Sequence, residues 1–202
     1  MAAADAGRKD IVDVLVSRNC NLELKALVGC TALMIAVGSR HTDVVDVLVA
    51  HNCNLDVQDV DGGTALMAAA QNGCKDIVEA LVAGKCNLDL QNCKGYTALM
   101  LAVHRGHKDI VEVLVRHNCN LSLRTNDGWT ALKVSKLCDR TEIAIVIKKK
   151  LRRNRNWAHR KALMMVLVEN KYLLASPVPP DVLSYEKVLG NIFLVQKIMS
   201  YV

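Results

Sequence analysis

Hydrophobic and polar positions along the first two thirds of the chain follow two alternating helical patterns. One is a short apolar run after a glycine turn and a threonine, as in TALMIAVG at 31–38 and TALMLAVH at 97–104. The other is KDIVEVLVRH at 108–117, whose apolar residues fall at i, i+1, i+4 and i+5 and share one helix face. The patterns predict a short helix, a turn and a second helix with one buried face.

Particular residue types mark the ends of both predicted helices. A hydroxyl before the first helix can accept a hydrogen bond from a free backbone N–H, so we predict threonine N-caps. These are Thr31, Thr64, Thr97 and Thr130. The second helix is followed by Asn52, Gly84 or Asn118, residue types that tolerate the left-handed conformation at a helix end.

The helix pair recurs along the chain at a fixed spacing. The segment NCNL stands at 19–22, 52–55 and 118–121, with KCNL at 85–88, so successive cysteines are 33 residues apart. Such a period indicates a structural unit whose copies stack to share one core. We predict five units, at about 1–27, 28–60, 61–93, 94–126 and 127–147.

The repeated unit resembles the ankyrin repeat. The family's landmarks are matched in the fourth unit by Gly95, Thr97, Leu99, Ala102, Gly106, His107, Ile110, Val111, Leu114 and Leu121. The family's proline after threonine is alanine here, its histidine is methionine (Met34, Met67, Met100), and its Gly-Ala-Asp is Asn-Cys-Asn. The resemblance implies an all-α ankyrin-repeat solenoid of helix–turn–helix–loop units over residues 1–147. The residues beyond it predict a C-terminal helical extension.

The same spacing bears on the eight cysteines. No two of them are closer than seven residues, whereas metal ligands and redox pairs usually lie a few residues apart. We therefore expect the NCNL cysteines Cys20, Cys53, Cys86 and Cys119 to be small buried hydrophobes in the family's alanine position. Neither a metal nor a cofactor is predicted.

The two ends of the array differ in their polar residues. The last unit carries Lys133, Ser135 and Lys136 in its first helix, and a terminal repeat is expected to turn polar residues outward. The first unit lacks the Thr-Ala-Leu turn. Its end is expected either to fray or to belong to a longer array, and we favour the longer array.

Charge divides the chain into two parts. Residues 1–147 hold 15 Lys/Arg and 17 Asp/Glu, a net charge of −2, whereas residues 148–202 carry +8. The cations of 148–161 are Lys148, Lys149, Lys150, Arg152, Arg153, Arg155, Arg160 and Lys161, with no acid among them. We assign them as a candidate nuclear import signal. A solvated capping helix, a nucleic-acid or anionic-lipid patch and a calmodulin-target-like helix stay open.

The C-terminal third divides at its prolines. Residues 148–175 are predicted to be a basic helical extension, SPVPP at 176–180 a linker, and 181–202 an amphipathic helix, possibly truncated. The last segment faintly resembles F-box-like segments appended to some ankyrin arrays. The longest apolar run, 162–168, is too short to span a bilayer, and no signal peptide is visible. We therefore predict an intracellular protein, cytoplasmic and/or nuclear.

No constellation of residues points to catalysis, since phosphate-binding and metalloprotease motifs and a nucleophile–base pair are all lacking. The resemblance implies a non-enzymatic interaction module that binds a partner protein on its concave face and turn tips. We also predict that the chain is a monomer. A ubiquitination adaptor and a nuclear nucleic-acid-associated protein are the alternatives. Array aromatics occur only before threonine at the tips, and aromatics dominate binding hot spots. The predicted contacts are Tyr96, Trp129, Lys94, His104, Arg105, Gln71, Asn72, Arg124 and Asn126.

Overall fold

The computed structural model describes residues 1–175, and all of their side chains except those of Leu27, 158–160 and 163–175. This part of the chain is all-α, as predicted, with a short 3-10 turn at Leu27–Gly29. Its helices are α1 (Ala2–Asp5), α2 (Lys9–Ser17), α3 (Ala32–Gly38), α4 (Thr42–Ala50), α5 (Ala65–Asn72), α6 (Lys75–Ala83), α7 (Ala98–Arg105), α8 (Lys108–Arg116), α9 (Ala131–Leu137) and α10 (Thr141–Ala175). The described residues divide after Lys150 into two parts, the first of which is Met1–Lys150. The unit boundaries drawn from the sequence stay predictions.

The first part consists of two layers of stacked helices. The inner helices α1, α3, α5, α7 and α9 pack side by side in chain order, and the outer helices α2, α4, α6 and α8 form the second layer. Each outer helix fills the space behind its inner partner with residues that recur every 33 positions. Ile77 and Leu81 of α6 and their equivalents Ile110 and Leu114 of α8 are fully buried there.

Threonine caps the start of every inner helix from α3 to α9, which confirms the sequence prediction. The threonine Oγ1 accepts a hydrogen bond from the backbone N–H three residues later, at 3.4 Å in α3 and 3.2 Å in α5. The corresponding distances are 3.3 Å in both α7 and α9. In α3, α5 and α7 the donor is the backbone N–H of the methionine that replaces the family's histidine.

The Asn-Cys-Asn segment ties each unit to the one before it. The Asn87 N–H donates to Asp56 Oδ1 of the preceding unit at 2.7 Å, while Asn87 Oδ1 accepts from the Asp89 N–H at 3.0 Å. Asp89 in turn accepts from the Asn120 N–H at 2.7 Å. The second asparagine thus closes its own turn, and the carboxylate of the aspartate two residues later accepts a hydrogen bond from the next unit.

Three NCNL cysteines lie next to these hydrogen bonds between units. Cys53, Cys86 and Cys119 are buried, as predicted. Desolvation by burial, with the nearby carboxylate second, raises the pKa of Cys53 to about 11 and the pKa values of Cys86 and Cys119 to about 12. For Cys20 the prediction of burial is wrong, because its thiol is exposed and no described unit covers that side of α2.

The left-handed residue after the second helix is not always the one predicted. Asn52 and Asn118 have φ of 55° and 63°, but Gly84 has φ of −70°, and Lys85 takes the left-handed position with φ of 63°. Glycine is required at position 84 because neighbouring side chains leave no room for a Cβ atom. A Cβ there would lie 2.7 Å from Leu55 Cδ1 and 2.9 Å from Val49 Cγ1.

Replacing Lys85 by asparagine should stabilise the array by about 1 kcal/mol, because a left-handed lysine is strained and asparagine tolerates this conformation. Urea unfolding followed by circular dichroism measures the change. The adjacent Gly84→Ala is the matched control and should destabilise the fold, since its Cβ has no room. Equal stability of all three proteins would contradict both assignments.

The two ends of the array are capped differently. Lys133 and Lys136 are exposed at positions where the preceding unit buries Met100 and Val103, which confirms the predicted polar cap at these two residues. For Ser135 the prediction of an outward-facing side chain is wrong. The residue is fully buried, and its hydroxyl donates to the Leu132 carbonyl at 2.8 Å. At the other end Ile11, Val14 and Leu15 of α2 are exposed, and both explanations offered for that end stay open.

Candidate functional site

The turn tips (residues 26–30, 59–63, 92–96 and 125–129) are closed five-residue loops. Each tip spans a boundary between units and is assigned to the unit that it leads into. In the fourth unit the Asn92 N–H donates to the Tyr96 carbonyl at 3.0 Å, and Asn92 Oδ1 accepts from the Tyr96 N–H at 2.9 Å. In the fifth unit Thr125 makes the equivalent pair of bonds with Trp129, at 2.9 and 3.2 Å. The backbones of both aromatic residues are therefore held at equivalent places in adjacent tips.

Neighbouring tips are also joined to each other. The Asn126 N–H donates to the Lys94 carbonyl at 3.1 Å, and Asn126 Nδ2 donates to the Cys93 carbonyl at 2.9 Å. A Cβ on Gly95 would lie 2.7 Å from the Asn126 nitrogen, so only glycine permits this approach. The structure thus brings together the predicted contacts Lys94 and Asn126.

Arg124 directly precedes the tip at 125–129 and helps to close it. Its Nη1 donates to the Gly128 carbonyl at 2.9 Å, and its own carbonyl accepts from Gln91 Nε2 at 2.7 Å. Arg124 replaces at this position the glutamine that closes the two preceding tips. The sequence alone singled Arg124 out as a binding residue and missed this bond.

The remaining predicted contacts lie at the other end of the inner helices. Gln71 and Asn72 end α5, and His104 and Arg105 end α7, about 12 Å from the tips at 1.5 Å rise per residue. All are exposed except Asn72, which is half-buried. The nine predicted contacts therefore form two groups, a tip group and a helix-end group.

The carbonyls of the helix-end group hold adjacent units together. His107 Nε2 lies 3.3 Å from the Gln71 carbonyl oxygen, and Arg40 Nη2 donates to the Asn72 carbonyl at 2.9 Å. Gly73 has φ of 74°, and a Cβ on it would lie 2.6 Å from His107 Cε1. The Gln71 and Asn72 side chains are thus carried on a backbone fixed from both neighbouring units.

Sequence reasoning missed two sets of apolar surface residues. Ala68 and Leu101 are half-buried at equivalent positions of α5 and α7, between the tip group and the helix-end group. At the tips of units two and three, Val28 and Val60 are 63% and 71% exposed, with the Val60 N–H 3.2 Å from the Val28 carbonyl. The available signal in the sequence was valine at tip positions that carry Asp61 and Lys94, or Cys93 and Asn126, in later units.

The candidate import signal lies on α10. Lys148, Lys149, Arg152, Arg153, Arg155 and Lys161 are exposed. Lys150 is half-buried and its Nζ donates to Asn118 Oδ1 at 2.6 Å. Arg160 lies on the helix, but its side chain is outside the described part. An import signal must be accessible to its receptor, and the exposed cations meet that requirement. Their role in nuclear import stays a prediction.

The predicted linker at 176–180 and helix at 181–202 lie outside the described residues, so the F-box alternative stays a prediction. Within residues 1–175, no group of three or more His, Cys, Asp or Glu side chains gathers in a way that could hold a metal ion. None of the described helices combines the length and apolar character needed to cross a membrane.

The repeated helix pair matches a known protein family. Two overlapping stretches, residues 1–92 and 81–156, match the family model described as ankyrin repeats (3 copies). None of the curated proteins compared with the chain matches it. Ankyrin repeats are protein–protein interaction modules, and the family is typically non-enzymatic. The matched residues make up more than half of the sequence, and this chain belongs to the ankyrin-repeat family.

Proposed function

We propose that the chain binds a partner protein across the tips and inner helices of units four and five. The observation that carries this assignment is a pair of aromatic residues, Tyr96 and Trp129. They occupy equivalent positions in the closed tips of two adjacent units. Trp129 is 37% exposed and Tyr96 is half-buried. Aromatic side chains in this setting offer large apolar area at a low cost in side-chain entropy.

The rigidity of the tips supports the same proposal. Bonds within each tip and from tip to tip fix the backbone around Lys94 and Asn126 before any partner arrives. A surface ordered in advance loses little conformational entropy on binding, so more of the contact energy appears as affinity. The surface is therefore suited to bind a partner without a change in its own backbone conformation.

The chemistry of the surface indicates what kind of protein segment it would accept. The centre offers Tyr96, Trp129 and the half-buried Leu101, whereas Lys94 and Arg105 stand exposed on either side. An apolar centre inside a polar rim is the usual arrangement of a protein interface. The partner would present apolar side chains flanked by hydrogen-bond acceptors or carboxylates.

Substituting Tyr96 by alanine should weaken partner binding by about 2 kcal/mol, or about 30-fold, with the fold intact. The partner is first identified by quantitative affinity capture on the intact chain, and its affinity for each variant is then measured by titration. Circular dichroism checks folding.

Val60→Ala is the matched control, because it removes an exposed apolar side chain from the tip of another unit. It should leave the affinity for the partner unchanged. If Tyr96→Ala binds as tightly as the parent while Val60→Ala or Gln71→Ala abolishes binding, the binding surface lies elsewhere on the array.

A further inference from the structure

We propose that Arg152, Arg153, Arg155 and Lys161 of α10 form a helical element that binds the phosphate backbone of duplex nucleic acid without reading its sequence. This activity is separate from the protein-binding surface proposed above. All four side chains are exposed. No Asp or Glu occurs from residue 143 to residue 168, so no acid on this stretch of the helix neutralises them.

The arrangement of the four cations around α10 favours a duplex over a membrane. At about 100° per residue, Arg153 stands about 100° and Lys161 about 180° from Arg152, with Arg155 about 60° away in the other direction. The cations therefore cover about two thirds of the circumference. An interfacial membrane helix needs an apolar face opposite a charged one, whereas a helix in the major groove, about 12 Å wide, has a phosphate strand on each side.

Trp157 lies on the part of the α10 circumference that the cations cover, and its surroundings also favour a duplex over a membrane. Its indole is 65% exposed, and Lys161 Nζ stands 5.3 Å from the ring centroid. One face of the ring is therefore engaged by a cation, and the residue lies among charged neighbours instead of on an apolar face. Binding would then depend on charge instead of base stacking.

The side chains themselves suit phosphate oxygens. Three of the four cations are arginines, whose planar guanidinium can donate two parallel hydrogen bonds to one phosphate. Asn154 and Asn156, exposed between them, can donate further bonds to the backbone. Residues 1–147 carry a net charge of −2, so a polyanion has no bulk attraction to the array, and binding would be localised to α10.

The test measures binding of the full chain to a fluorescent DNA duplex of about two helical turns, between about 50 and 200 mM salt. Four phosphate contacts predict a plot of log affinity against log salt with a slope of about −3.6. Arg152→Gln/Arg153→Gln/Arg155→Gln should flatten the slope by about 2.7. A duplex of scrambled sequence should bind within about twofold.

The matched control removes three exposed cations from the array, as Arg105→Gln/Lys133→Gln/Lys136→Gln. It has the same net charge as the α10 variant and should bind the duplex like the parent. Circular dichroism must show equal helix content in both variants. Equal loss of affinity in both would mean that overall charge drives binding, and would overturn the proposal.

Two further probes test the other classes of anionic partner. Vesicles containing phosphatidylserine should bind more weakly than the duplex, and so should polyglutamate. Tighter binding to vesicles would assign α10 to membranes, and tighter binding to polyglutamate would assign it to acidic proteins. Either result overturns the proposal, as would a scrambled duplex that binds more than about tenfold differently. All of these outcomes are independent of the Tyr96→Ala result.

Discussion

Replacing Cys86 by aspartate should destabilise the array by about 4 kcal/mol, whereas alanine at the same position should cost about 1 kcal/mol or less. Cys86 is only 8% exposed, and the carboxylate of Asp56 already acts on its thiol. A second carboxylate there would lose its hydration and face a like charge. Alanine introduces no charge and is the residue that the family resemblance places in this position.

Cys20→Asp provides the matched control, because Cys20 lies at the equivalent position of the first unit but is exposed. A surface substitution of this kind should change the free energy of unfolding by about 0.5 kcal/mol or less. Urea unfolding of the four proteins measures the difference. If Cys20→Asp were as harmful as Cys86→Asp, charge and not burial would explain the loss.

Raising the pH above about 8.5 should destabilise the array through its three buried thiols. An exposed thiol ionises near that pH, but the folded state holds the pKa of Cys53 at about 11 and those of Cys86 and Cys119 at about 12. Between these limits the unfolded chain releases protons that the folded chain keeps. Stability is thus fully present below the unfolded pKa and is lost as the pH rises.

The expected loss is about 1.4 kcal/mol per pH unit for each thiol, or about 6 kcal/mol for the three by pH 10. Urea unfolding under reducing conditions at a series of pH values measures it. The variant Cys53→Ala/Cys86→Ala/Cys119→Ala should show a shallower decline. Replacing the exposed Cys20 and Cys93 by alanine should leave the decline unchanged. An unaltered decline in the triple variant would show that other groups cause it.

The helices and their stacking could be predicted from the sequence because their signals are local and repeated. Threonine caps act on a backbone N–H three residues away, and the apolar face of KDIVEVLVRH is set by helical periodicity. Each signal recurs every 33 residues, so several copies agree. The burial of Cys86 and Cys119 followed from the same repetition.

The candidate binding surface could be predicted only in part. The tip position of Tyr96 and Trp129 follows from their place before the capping threonines, which is a local feature. The contact between Lys94 and Asn126 depends on how two neighbouring tips meet. The bond from Arg124 to Gly128 depends on how one tip closes. Hydrogen bonds of this kind have no period in the sequence.

By itself, then, the sequence determined the repeat length, the helix starts and the buried face of each outer helix, because short-range sterics and hydrogen bonds decide these. Only the tertiary structure decided which residues meet across units. It placed the left-handed conformation at Lys85 instead of Gly84, and it packed Leu55 and Val49 where a Cβ on Gly84 would lie. It buried Ser135 and exposed Cys20, since burial depends on whether a neighbouring unit covers a side chain.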